Sequence, residues 1–78
     1  MKIILEAKSQ GQRGDNGYKK RYIIEQFGDN KSVRIRWGKA ETITNRNEKY
    51  FTSEFLAQLF IDDQVEKKLK KGYEIVSD

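Results

Sequence analysis

The sequence predicts an α+β domain, a small antiparallel β-sheet of about four to five strands with one α-helix packed on one face. Three observations lead there. Short stretches of the first half alternate apolar and polar residues, a glycine–asparagine turn separates two of them, and one long segment near the end repeats apolar residues every four positions. Seventy-eight residues leave room for a single domain, residues 1–78, with one modest core.

Taken in order, Ile3, Leu5 and Ala7 alternate with Ile4, Glu6 and Lys8, the pattern of a first strand. Residues 9–17 form a polar, glycine-rich stretch expected to be a mobile loop, with Asp15-Asn16-Gly17 as a turn signal. A second strand is expected from Tyr18 to Phe27 and a third from Ser32 to Lys39. Between them Gly28-Asp29-Asn30-Lys31 supplies residues that tolerate positive φ, so the two strands read as an antiparallel hairpin. Thr42-Ile43-Thr44 is expected as a short strand, followed by a turn at Asn45-Arg46-Asn47. A helix then runs to about Lys71, with Thr52 as N-cap, Glu54 in its first turn and Gly72 as the C′ residue. Ala57, Ile61, Val65 and Leu69 are expected to line its buried side, with Leu56 and Phe60 beside them. Tyr73 to Val76 reads as a last strand returning to the sheet.

Residue types exclude much chemistry. The chain has no cysteine and no histidine, so disulfides, zinc fingers and the usual nucleophile–base pairs are unavailable. No glycine-rich phosphate loop of Walker or Rossmann spacing occurs. Asp62-Asp63 is an unsuitable metal pair, because adjacent helical side chains diverge by about 100°, and reads as a solvated face. The expectation is a protein that is not an enzyme and carries no cofactor. No stretch approaches the roughly 18 apolar residues of a membrane span. Glu6 interrupts the opening apolar run, so no signal peptide is expected and the expected location is cytoplasmic. With no staple available, stability rests on packing or on a partner.

Sixteen basic residues against twelve acidic ones give a net charge of +4. The excess is concentrated: residues 19–39 hold seven bases and two acids. Such an asymmetry suits a polyanion, although lysines also serve plain solubility. Within the hairpin, Lys19, Lys20 and Arg21 lie near Arg34, Arg36 and Lys39, with Tyr18, Tyr22 and Trp37 interleaved. Cations hold phosphates and an aromatic face stacks on a base or sugar, a combination that points to nucleic acid without separating DNA from RNA. Strand alternation places Val33, Ile35 and Trp37 on one face and Arg34 and Arg36 on the other. Trp37 therefore reads either as core or, at the rim beside Gly38, as a ligand contact.

Tyr22-Ile23-Ile24-Glu25, the run Val33 to Lys39 with its Trp37-Gly38 pair, the helix with Ala57, Ile61, Val65 and Lys68, and the closing Gly72-Tyr73 together resemble the WGR domain. That module, named for a Trp-Gly-Arg motif, occurs in DNA-dependent poly(ADP-ribose) polymerases and in bacterial proteins. The resemblance covers nearly the whole chain and implies an antiparallel sheet with one helix. In the polymerases the domain binds DNA near strand breaks, and its tryptophan packs on the sugar of a terminal nucleotide. The resemblance places that role on Trp37 and a phosphate contact on Lys20. Lys39 stands where the motif has arginine, and lysine lacks the bidentate fork, so the arginine's interdomain signalling role is not carried over. Lys19 replaces the usual asparagine, and Ala40-Glu41-Thr42 replaces a glycine-containing segment.

The expected partner is thus DNA, or RNA, on the face around Lys20, Arg34, Arg36, Trp37 and Lys39. The alternative is a protein-interaction module. Phe55 and Leu59 fall away from the buried side of the helix, where they either pack under a loop or form a protein contact.

Overall fold

In the computed structural model, residues 1–8, 19–40 and 42–77 are described. The expectations for Tyr18, Glu41 and the loop of residues 9–17 lie outside them. The order of elements is β1 (Lys2–Lys8), β2 (Lys19–Phe27), β3 (Ser32–Lys39), β4 (Thr42–Tyr50), α1 (Glu54–Lys70) and β5 (Glu74–Ser77). The strands form one antiparallel sheet in the order β4-β3-β2-β1-β5, and α1 packs against one side of it.

The β2–β3 hairpin forms as the turn chemistry demands. Gly28, Asp29 and Asn30 all take left-handed φ (57°, 55° and 62°), and the Lys31 amide donates to the Gly28 carbonyl at 3.1 Å. β4 differs from expectation. It is one continuous nine-residue strand, and Asn45-Arg46-Asn47 pair with Trp37, Arg36 and Ile35 instead of turning. β4 is an edge strand, so polar side chains that argue for a turn in isolation simply face water here.

The core is small and sits between sheet and helix: Leu5, Tyr22, Ile24, Val33, Ile35, Ala57 and Ile61, with Ile3, Phe51, Phe60, Val65 and Tyr73 packed around it. Ser53, one residue after the expected Thr52, caps the helix, its hydroxyl accepting from the Leu56 amide at 3.2 Å. Leu69, expected inside, is 45 % exposed. The reason is geometric. A four-residue step advances roughly 40° past a full turn, so the line from Ala57 has swung out of the sheet by Leu69. Lys68, one residue earlier, takes the sheet-facing position instead. Leu56 is likewise 43 % exposed.

The helix ends in a Schellman motif. The Tyr73 amide donates to the Lys68 carbonyl at 3.0 Å and the Gly72 amide to the Leu69 carbonyl at 3.1 Å, with Gly72 at φ 97°. Tyr73 is thereby folded back beside Lys68. Asp62 and Asp63 are engaged on the solvent side, by Gln58 at 2.9 Å and Lys67 at 3.0 Å.

Ile61→Ala is expected to cost about 2–5 kcal/mol, enough to unfold much of so small a domain. Leu69→Ala, from the same apolar line, should change stability by no more than about 0.5 kcal/mol. Urea denaturation of both variants checks this, and equal losses would contradict the packing described.

Candidate functional site

The sheet has two unlike faces, and the pleat divides the cations between them. Cross-strand rows on the helix side run Lys20–Lys39–Thr42, Tyr22–Trp37–Asn45 and Ile24–Ile35–Asn47. On the open side they run Lys2–Glu25–Arg34–Glu48, Ile4–Ile23–Arg36–Arg46 and Glu6–Arg21–Gly38–Ile43. The expected single face around Lys20, Arg34, Arg36, Trp37 and Lys39 is therefore two faces. Lys20, Trp37 and Lys39 share the helix side, and Arg34 and Arg36 lie behind them.

Arg21 and Arg34 are occupied. The Arg21 guanidinium holds the Glu6 carboxylate at 2.5 and 2.8 Å, and Lys19, otherwise exposed, approaches the same group at 3.9 Å. Arg34 donates to Glu48 at 2.7 Å and to Glu25 at 3.4 Å and lies 4.5 Å from the centre of the Phe27 ring. The hydrogen bond from Arg34 lowers the Glu48 pKa, and the same bond raises that of Arg34. These contacts give Arg21 and Arg34 a role in cross-strand pairing.

On the helix side, near the C-terminal end of α1, a groove opens. Its volume is about 460 Å3, and it is lined by Lys20, Trp37, Gly38, Lys39, Thr42, Thr44, Asn45, Lys68 and Tyr73. Three lysines surround one tryptophan, and no carboxylate occurs among the described lining residues. Trp37 is 38 % exposed and outside the core, so the core reading of its sequence position does not hold.

Gly38 is what turns the strand there. The β3–β4 register shifts between Trp37 and Gly38, and Gly38 takes φ 147°, a conformation side chains resist. A Cβ at this position would also press on the Thr42 carbonyl oxygen at 3.3 Å.

Lys68, a helix residue that carries part of the family resemblance but was not expected at the ligand, lies in the last turn of α1. Its ammonium sits 4.6 Å from the Tyr22 ring centre and 5.1 Å from that of Tyr73. Burial pushes its pKa down, and repulsion from Lys71 and Lys20 adds to this. An anion in the groove would relieve that repulsion. Tyr22, expected at the ligand, is only 4 % exposed; it forms the floor beneath Lys68 and donates to Gln64 Oε1 at 3.3 Å. Burial, with Tyr73 adding, pushes the Tyr22 pKa up to about 12. The spacing Ala57, Ile61, Gln64, Lys68 carries the signal for Lys68, since three- and four-residue steps alternate along one helix face.

These features define a class of small α+β modules, mostly sheet, in which one helix backs an antiparallel sheet and a tryptophan–glycine pair closes a central strand. The chain belongs to the WGR domain family, whose model matches residues 1–78. It is also similar to a protein of known crystal structure from Bacteroides fragilis, at 25 % identity and a TM-score of 0.77. That match covers 99 % of this chain and 20 % of the Bacteroides chain, so the domain spans about one fifth of that protein's length. No curated protein matches the chain at a significant level. Among the described residues no helix is long and apolar enough to cross a membrane.

The raised Tyr22 pKa has a stability consequence. Between pH 10 and about 12 the folded protein keeps a phenolic proton that the unfolded chain releases, so stability falls as pH rises through that window. Tyr22→Phe should remove this part of the pH dependence. Urea denaturation of both proteins at either end of the window measures it, and parallel losses would refute the assignment.

Proposed function

We propose that this domain is a non-catalytic nucleic-acid-binding module, with DNA its foremost ligand, and that the groove around Trp37 is where it binds. One observation carries the reading: Lys20, Lys39 and Lys68 converge on a part-exposed tryptophan in an open groove without an acidic lining among its described residues. The ammonium groups suit phosphate oxygens, and the Trp37 ring suits the apolar side of a sugar or base. Membership of the WGR family supports the same reading. Lys20 would contact phosphate as the family resemblance implies. Lys68 would add a second cation, held in place by Tyr22 and Tyr73. Lysines at both positions give point charges without a bidentate fork, which favours backbone recognition over the reading of base edges. RNA is accommodated by the same chemistry, and competition between matched DNA and RNA strands separates the two.

Trp37→Ala is expected to weaken DNA binding while circular dichroism shows an intact fold, because the side chain lies outside the core. Lys20→Gln with Lys68→Gln should flatten the salt dependence on duplex DNA by about 0.9 per lost phosphate contact. Anisotropy titrations at two salt concentrations measure both effects. Absence of affinity for duplex, nicked and single-stranded DNA at low salt would overturn the reading.

A second reading, a protein-docking module with no nucleic-acid role, is favoured by Phe55 and Leu59, which are 70 % and 49 % exposed on the outer side of α1. Light scattering that finds a strict monomer, together with affinity for DNA alone, would count against it.

A further inference from the structure

Behind the groove, on the open side of the sheet, one pair of cations has, among the described residues, fewer acidic partners than its neighbours. Arg36 and Arg46 face each other across β3 and β4. Like charges directly opposite are unfavourable unless an anion lies between them. Among the described residues no carboxylate lies within ion-pair distance of Arg36, and its Nε is buried without a hydrogen-bond partner. Arg46 reaches only Glu48, at 3.6 Å, and that carboxylate is already held by Arg34 at 2.7 Å. Arg21 and Arg34 show what a satisfied arginine looks like on this face. Arg36 and Arg46 have the donors and the charge for a further oxyanion, one that the described residues do not supply.

The pair is joined to the groove by an edge. Arg36 and Trp37 are consecutive residues on opposite faces of a sheet one layer thick, and β4 is the strand at its margin. Thr44 and Asn45 line the groove, and the next residue, Arg46, lies over the edge on the open side. The run Thr42 to Asn47 contains no carboxylate, and all of it except the half-buried Ile43 is exposed. As an edge strand it also presents backbone groups that no neighbouring strand pairs.

We propose that a single-stranded extension of the nucleic acid held at Trp37 passes around the β4 edge and places phosphates on Arg36 and Arg46. This rests on the groove reading above and adds a substrate class to it. Duplex DNA, with a persistence length of about 50 nm, does not fold around a sheet edge, whereas a single strand does. The Arg36–Arg46 pair therefore distinguishes a tailed end from a blunt one.

The test compares a blunt duplex, the same duplex with a single-stranded tail of about ten nucleotides, and the tail strand alone, by anisotropy across a salt series. The wild-type protein should bind the tailed duplex more tightly than the blunt one. Arg36→Gln combined with Arg46→Gln should erase that advantage and flatten the tailed-duplex salt slope by about 1.4, that is about 0.7 for each single-strand phosphate. Blunt-duplex binding should be unchanged, and the melting temperature should not fall, since a like-charge pair is removed. Arg46→Gln alone, at an exposed side chain, is the variant safest for folding and should lose about half of the slope change. Equal wild-type affinity for tailed and blunt ends, including no affinity for either, would overturn the proposal. So would a tail advantage that survives the double variant. If Trp37→Ala abolishes all binding while the arginine variants behave as wild type, the groove stands and the edge path falls. If Trp37→Ala has no effect but the arginine variants lose the tail advantage, the groove reading falls and the arginine pair stands as a single-strand site.

Discussion

Along its sheet-facing side the helix brings Ala57, Ile61, Gln64 and Lys68 against the sheet, with Phe60 and Val65 packing beside them, and the placement of many functional side chains follows from it. The first two are buried and supply the helix's share of the core. The third meets the Tyr22 hydroxyl. The fourth comes down where the core ends, so an ammonium rather than an alkyl group faces the sheet. A chain of this size has little apolar surface to bury. Strand residues around Trp37 and Lys39, together with Lys68 and Tyr73, form the groove.

Two glycines shape that groove by different means. Gly72 permits the left-handed C′ residue of the Schellman motif, which returns Tyr73 to the side of Lys68. Gly38 permits a register shift that ends the regular pleat after Trp37 and brings Thr44 and Asn45 into the lining. The Tyr22 and Tyr73 rings on both sides of Lys68 place its ammonium beside the groove.

The basic residues of the hairpin look alike in the sequence and do different work in the structure. Arg21 and Arg34 are bound to glutamates on neighbouring strands and help set the register of the open face. Lys20 and Lys39 edge the groove. Arg36 and Arg46 oppose each other, and among the described residues Glu48 is the one carboxylate that reaches either of them. Charge density along the chain is thus a poor measure of charge available to a ligand, because partners arrive from strands distant in sequence.

Much of this was legible in the residues themselves. Alternation in β1, β2 and β3, the Gly28–Lys31 turn, and the stretch from Glu54 to Gly72 specify the sheet, the hairpin and the helix, because strand and helix periodicities are local properties. The pairing of Trp37 with Gly38 and the lysine at position 20 marked the end of the sheet where the groove lies. What required the tertiary structure was everything set by neighbours. The strand character of Asn45 to Asn47 came from pairing with β3, the exposure of Leu69 from the drift of the helix past the sheet, and the entry of Lys68 from the same rotation. The division of the arginines into those held tightly by glutamates and those that are not came, among the described residues, from glutamates on β1, β2 and β4. Periodicity determines which side of its own element a residue takes. Only packing decides what stands opposite it, and for a charged or aromatic side chain that decides its role.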